Sequence, residues 1–127
     1  MAYKILIVDD SKLARMAVAK ALSKLRPDWE RLEATNADEA QALVQQQAID
    51  VAVLDFNMPG RDGLTLAAEL RTIRSHMPVA VISANVQREI VARAGELGAT
   101  FLAKPLDENA LSAFLVEAEK RLGTVAG

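Results

Sequence analysis

Apolar residues along this chain come in two rhythms. Short unbroken runs end abruptly in a polar side chain: Lys4 to Val8 (KILIV) before Asp9-Asp10, Val51 to Leu54 before Asp55, Pro78 to Ile82 (PVAVI) before Ser83, and Thr100 to Ala103 before Lys104-Pro105. Runs of this length, apolar at successive positions, are expected of strands buried on both faces, as in parallel sheets. A more polar segment within Trp29–Thr35 predicts a further strand, placed at a sheet edge by its composition. The other rhythm is helical. Ala14, Ala17, Val18, Ala21, Leu22 and Leu25 form the core face of a first helix that Ser11 can cap and Pro27 ends. Leu13 and Met16 fall off that face. They are read either as isolated surface apolars or as a docking spot beside the Asp pair.

Asn36 suits the N-cap of a second helix, with Glu39 as half of a capping box and Ala40, Leu43 and Val44 as its apolar side. The turn residues Asn57, Met58-Pro59-Gly60 and Asp62-Gly63 delay a third helix until about Gly63, and Leu66, Ala67, Leu70 and Ile73 face inward along it. Asn85 or a neighbour opens a fourth helix with the stripe Ile90, Val91, Ala94 and Leu97, closed by Gly98. Asp107 caps a last helix whose face is Leu111, Phe114, Leu115, Ala118 and Leu122. Five strands thus alternate with five helices through short connections, the pattern of an α/β fold with a parallel sheet covered by helices on both sides.

With 127 residues the chain is one domain in length, read as a folded unit over 1–122 and a flexible tail over 123–127. Aromatic residues are only 4% of the chain, so the core must be built from Ala, Leu, Val and Ile. A net charge of −2 and the lack of any basic block argue against direct nucleic-acid binding. There is no cysteine, hence no disulfide and no thiolate metal site. No apolar run approaches membrane-spanning length and the N-terminus lacks a signal-peptide layout, so a cytoplasmic location is expected. His76 is a lone histidine in a turn and receives no role.

The polar residues that end the strands all belong to one edge of such a sheet, the edge where open α/β proteins bind ligands. Asp9, Asp10, Asp55, Ser83 and Lys104 can therefore converge. At about 4 Å and an effective dielectric of about 20, each carboxylate pair costs on the order of 4 kcal/mol. Lys104 offsets one negative charge, and one divalent cation would offset the other two. Hard oxygen donors without Cys or a converging His favour Mg²⁺. Carboxylates, a metal, a hydroxyl and an ammonium together suit phosphoryl transfer, in which a protein supplies mostly position and charge. The plain alternative is a sheet edge held by a Lys–Asp ion pair. It accounts poorly for three clustered carboxylates, because buried ion pairs rarely gain net stability.

These residues, with the run Asp55-Phe56-Asn57-Met58-Pro59-Gly60-Arg61-Asp62-Gly63 and the pairs Ser83-Ala84 and Lys104-Pro105, resemble the receiver domain of two-component response regulators, of the stand-alone chemotaxis type. The resemblance spans about Lys4 to Leu122 and implies a doubly wound, flavodoxin-like sheet with strand order 2-1-3-4-5. It implies that Asp55 is a phosphoacceptor for a histidine kinase or phosphotransfer protein. It also implies that Mg²⁺ is held by Asp10, Asp55 and the backbone carbonyl of Asn57, with Asp9 acting through water. Ser83 and Lys104 would contact phosphoryl oxygens, and the Lys104–Pro105 peptide would be cis. Phe101 stands at the family's switch aromatic. The output surface for a downstream protein target would be helix four, strand five and helix five, and the resemblance allows a dimer on phosphorylation.

The resemblance implies a phosphoacceptor that promotes its own phosphorylation and dephosphorylation, and not a turnover enzyme. Ser11, Ser83 and Phe101 depart from the commonest residues at their positions, and Phe101 lacks the hydroxyl a Tyr would offer an output contact. Other readings are a receiver excised from a larger regulator, or a Mg²⁺-dependent phosphohydrolase. The latter usually needs a cap or inserted loops, and all connections here are short. A flavin site is disfavoured because the acidic loop after strand one would repel a flavin phosphate.

Overall fold

The computed structural model describes residues 3–126, with side chains through 123. Strand β1 (Lys4–Val8) leads into helix α1 (Lys12–Leu25), and the alternation continues with β2 (Glu30–Ala34), α2 (Ala37–Gln46), β3 (Val51–Asp55) and α3 (Gly63–Ile73). It ends with β4 (Val79–Ser83), α4 (Arg88–Glu96), β5 (Thr100–Ala103) and α5 (Glu108–Ala126). The five strands form one sheet in the order β2-β1-β3-β4-β5, every pair parallel. The polar strand β2 is indeed an edge, and β3 and β4 are buried at all five positions.

Strand periodicity divides the core in two. Leu6, Val8, Ala52 and Leu54 face one helical layer with Val44, Leu66 and Leu70. Ile5, Ile7, Val51 and Val53 face the other with Val18, Leu22, Leu111 and Leu115. Each fully buried Leu or Ile adds about 1.5–3 kcal/mol, so the stability is spread over both faces. Trp29 sits just before β2 and is buried, edge-on to Tyr3 at a centroid distance of 5.3 Å and under the Arg26 guanidinium at 5.8 Å.

Helix ends follow the side chains the sequence offers. Ser11 accepts from Ala14 N–H, Asn36 from Glu39 N–H, Asp62 from Thr65 N–H and Asp107 from Asn109 N–H. Glu39 reaches back one residue further than a capping box requires and takes the Thr35 N–H at 2.7 Å. Gly98 has φ +71 and completes the end of α4, with bonds from Gly98 N–H to Gly95 O and from Ala99 N–H to Ala94 O.

Three expectations are corrected. Helix α4 is opened by Gln87, two residues past Asn85, and without a side-chain cap bond; Asn85 lies in the loop before it, its N–H bonded to the Ser83 hydroxyl. Val91 is 40% exposed, so α4 is anchored by Ile90 and Ala94. Ala17 is exposed because the buried arc of α1 centres on Val18 and Leu22. Helix α5 runs as far as Ala126, and Gly127 lies outside the described residues.

Candidate functional site

Parallel register brings the strand ends to one edge in steps. Val8 lies opposite Leu54, Asp55 opposite Ile82, and Ser83 opposite Ala103. Asp9 therefore follows β1 beside Asp55 at the end of β3, and Lys104 follows β5 beside Ser83, its N–H bonded to the Ser83 carbonyl at 3.0 Å. β1 and β3 are neighbours from which the chain winds in opposite directions, the switch point where such sheets hold ligands.

Asp9, Asp10 and Asp55 each offer a carboxylate oxygen within 4.8 Å of the others. Asp9 and Asp55 are 6% and 5% exposed, whereas Asp10 is open to solvent. Lys104 Nζ lies 2.9 Å from Asp55 Oδ1. Asp9 Oδ1 accepts from Ser11 N–H at 2.9 Å, so the same loop that caps α1 holds this carboxylate. Burial pushes the Asp9 carboxyl above its ordinary range. The Ser11 N–H opposes the shift, the charge of Asp55 adds to it, and Lys104 and Asp10 act more weakly in opposite senses. All the donors are hard oxygens and the group carries excess negative charge, which fits a small divalent cation such as Mg²⁺.

Ser83 is 1% exposed, and its hydroxyl accepts from Asn85 N–H at 3.0 Å. Asn57 is exposed in the β3–α3 loop, and the Lys104–Pro105 peptide is cis. Phe101 lies opposite Val81 and packs, partly buried, against the core layer shared by α3 and α4. Leu13 and Met16 are 78% and 55% exposed on α1, just past the Asp pair. The structure thus brings Asp9, Asp10, Asp55, Ser83 and Lys104 to one edge. Phe101 lies beneath it, and Leu13 and Met16 on its rim.

Two residues at this edge escaped the sequence reading. Gly63 reads as a turn glycine, yet it is buried at the first position of α3, where a Cβ would overlap the Asp55 carbonyl oxygen. Its N–H bonds the Phe56 carbonyl at 2.9 Å, so α3 starts in direct contact with the residues that follow β3. Arg15 lies on α1 with its side chain 13% exposed, bonded to the Asp9 carbonyl. The Asp-Gly pair was a usable signal for the first. Nothing local marks the second.

The profile of the response regulator receiver domain matches residues 5–116. The chain belongs to this family. Receiver relatives include the sporulation initiation phosphotransferase F of Bacillus subtilis, 31% identical over 82% of this chain and 83% of that protein. The glycerol metabolism activator of Pseudomonas putida is 37% identical over 76% of this chain, and a protein-glutamate methylesterase/protein-glutamine glutaminase of Thiobacillus denitrificans is 41% identical over 83%. This receiver chain spans only 44% and 30% of those two proteins. Among solved structures, the chemotaxis protein CheY4 of Vibrio cholerae superposes with a TM-score of 0.81 at 27% identity, covering 93% of this chain and 99% of that one. A response regulator receiver domain protein of Clostridium thermocellum gives 0.87 at 25% identity, covering 97% and 98%. Among the described residues, no helix is long and apolar enough to cross a membrane.

Proposed function

We propose that this chain takes a phosphoryl group onto Asp55 from a phosphohistidine on a histidine kinase or phosphotransfer protein, and then engages a downstream protein through α4, β5 and α5. The observation that carries this reading is a carboxylate 5% exposed at a strand end, paired with Lys104 at 2.9 Å and flanked by Asp9 and Asp10. Lys104 holds Asp55 Oδ1 and leaves Oδ2 without a hydrogen bond among the described residues. An Asp55 oxygen forms the new bond to phosphorus. The phosphorus–nitrogen bond breaks, and its electron pair leaves with the imidazole, which departs neutral when its other nitrogen carries a proton. Asp10, Asp55 and the Asn57 carbonyl would hold Mg²⁺, with Asp9 acting through water. The ion would supply positive charge against the phosphoryl oxygens.

Lys104 then pairs with a phosphoryl oxygen instead of the bare carboxylate. The Ser83 O–H, which donates to the Asn85 carbonyl at 3.4 Å, turns to a second phosphoryl oxygen instead, and the loop between β4 and α4 moves with it. Helix α4 is free to follow, since only Ile90 and Ala94 bury it. The partly buried Phe101 fills space on that side, and the result is a shift between two packings of one fold.

The test is label transfer from a cognate kinase or a small phosphodonor, alongside amide NMR with beryllofluoride and Mg²⁺. Asp55→Asn is expected to abolish stable labelling and the Mg²⁺-dependent shifts at Asp55, Ser83, Lys104 and Phe101. Normal labelling of Asp55→Asn would remove the assignment. A second reading, a receiver attached to an effector domain, draws on the 44% and 30% spans. The coding sequence beyond Gly127 decides it.

A further inference from the structure

Asp10 is the exposed member of the acidic group, and its carboxylate has no hydrogen-bond partner among the described residues. Asp9 is tied through its side chain to Ser11 N–H, and Asp55 to Lys104. Asp10 has no such tether, so its place depends on the backbone, chiefly on the peptide plane that joins it to Asp9. That plane is held by one side chain. Arg15 Nη1 donates to the Asp9 carbonyl at 2.7 Å, while its Nε donates to Glu33 Oε1 at 2.8 Å. Glu33 sits on β2, opposite Ile7 of β1. On the other side of the same residue, Asp9 N–H bonds the Ala34 carbonyl at 3.2 Å.

We propose that Arg15 is a positioning residue for the metal site, with Glu33 as its anchor, fixing the Asp9–Asp10 peptide so that the Asp10 carboxylate stays aimed at the cation. This rests on the reading of the edge as a Mg²⁺ site. An arginine suits the role because its fork reaches two acceptors at once, one on the loop and one on β2; a lysine would have a single nitrogen to offer. The bond to the carbonyl is charge-assisted and sheltered from water, which makes it a stiff restraint. Mg²⁺ is the cation most sensitive to such a restraint, since it demands near-octahedral ligands, whereas Ca²⁺ tolerates irregular ones.

Electrostatics and positioning predict opposite signs. Removing a cationic side chain beside a cation site should tighten cation binding if charge alone mattered. If Arg15 positions Asp10, its loss should weaken binding despite that gain.

The experiment titrates Mg²⁺ alone into wild type, Arg15→Met, Arg15→Lys and Glu33→Ala, followed by amide NMR at the β1–α1 and β3–α3 loops. Thermal melts in chelator run in parallel. Arg15→Met is expected to weaken Mg²⁺ binding about tenfold, the lower end of what outer-shell partners of metal ligands contribute. Arg15→Lys should recover only part of that loss. Glu33→Ala, an exposed substitution, should weaken Mg²⁺ binding severalfold; since the loss of a carboxylate weakens any divalent cation by charge alone, its larger effect on Mg²⁺ than on Ca²⁺ is what carries the test if Arg15→Met does not fold. Ca²⁺ binding should fall less than Mg²⁺ binding in each. Unchanged or tighter Mg²⁺ binding in folded Arg15→Met, or equal losses of Mg²⁺ and Ca²⁺ binding in Glu33→Ala where that variant carries the test, overturns the proposal even if the melting temperature drops. Wild-type protein that binds no Mg²⁺ overturns the metal-site reading itself, a result distinct from any difference among variants.

Discussion

Asp9 is the side chain at this edge whose own charge works against the fold. Burial and the neighbouring Asp55 raise its carboxyl above the ordinary value of 3.8. The folded chain therefore binds that proton more tightly than the unfolded chain. Stability falls as pH rises from the ordinary value through the raised one, and the loss is complete above both. Asp9→Asn keeps an oxygen for Ser11 N–H and removes the charge. In chelator at pH 7 it should stabilise the protein, read as a higher melting temperature than wild type. The gain should shrink steadily as the pH is lowered toward 4. Paired thermal melts across that range check both sign and window, and a more stable wild type at pH 7 would contradict the account. The same residue was legible in the sequence because it directly follows KILIV, and Asp55, Ser83 and Lys104 were legible for the same reason. Arg15 was not, because its anchor lies 18 positions away on another strand.

Elements here are bounded by short polar side chains acting locally. Asn36 is representative, its Oδ1 taking Glu39 N–H at 2.8 Å while Glu39 returns to Thr35. Asn36→Ala should cost about 1 kcal/mol, seen as a lower urea midpoint with an unchanged m-value, since one cap is lost and the surface exposed on unfolding is not altered. An m-value that changed would mean that α2 or the denatured state had been reorganised. Such caps are readable because donor and acceptor are three residues apart. Helix α4 shows the limit of local reading. Its stripe included Val91, but the sheet is covered on that side by α3 as well, and Val91 is left 40% exposed. Shallow anchoring through Ile90 and Ala94 also makes α4 the helix that a moving β4–α4 loop can carry most easily.

For the whole molecule, the sheet collects like charges at one edge, and the folded state meets that cost before any ligand binds. A cation that binds only the folded chain should return stability by mass action, about 2.7 kcal/mol at a hundred times its dissociation constant. Calorimetry in Mg²⁺ against chelator should show the wild-type melting temperature rising, with a smaller rise in Asp10→Asn. Equal rises would place the ion elsewhere. The sequence alone determined the alternation of strands and helices, the parallel sheet, the caps of α1, α2 and α5 and the five polar residues that end apolar runs. All of these depend on neighbours within a few positions, or on a period the chain carries along its length. Only the tertiary structure decided that a glycine must stand against the Asp55 carbonyl, that Arg15 bridges a loop to β2, and that the Ser83 hydroxyl rests on Asn85 N–H. Those contacts depend on directions and distances between packed segments, and hydrophobic periodicity assigns a residue to a face without saying what it will touch there.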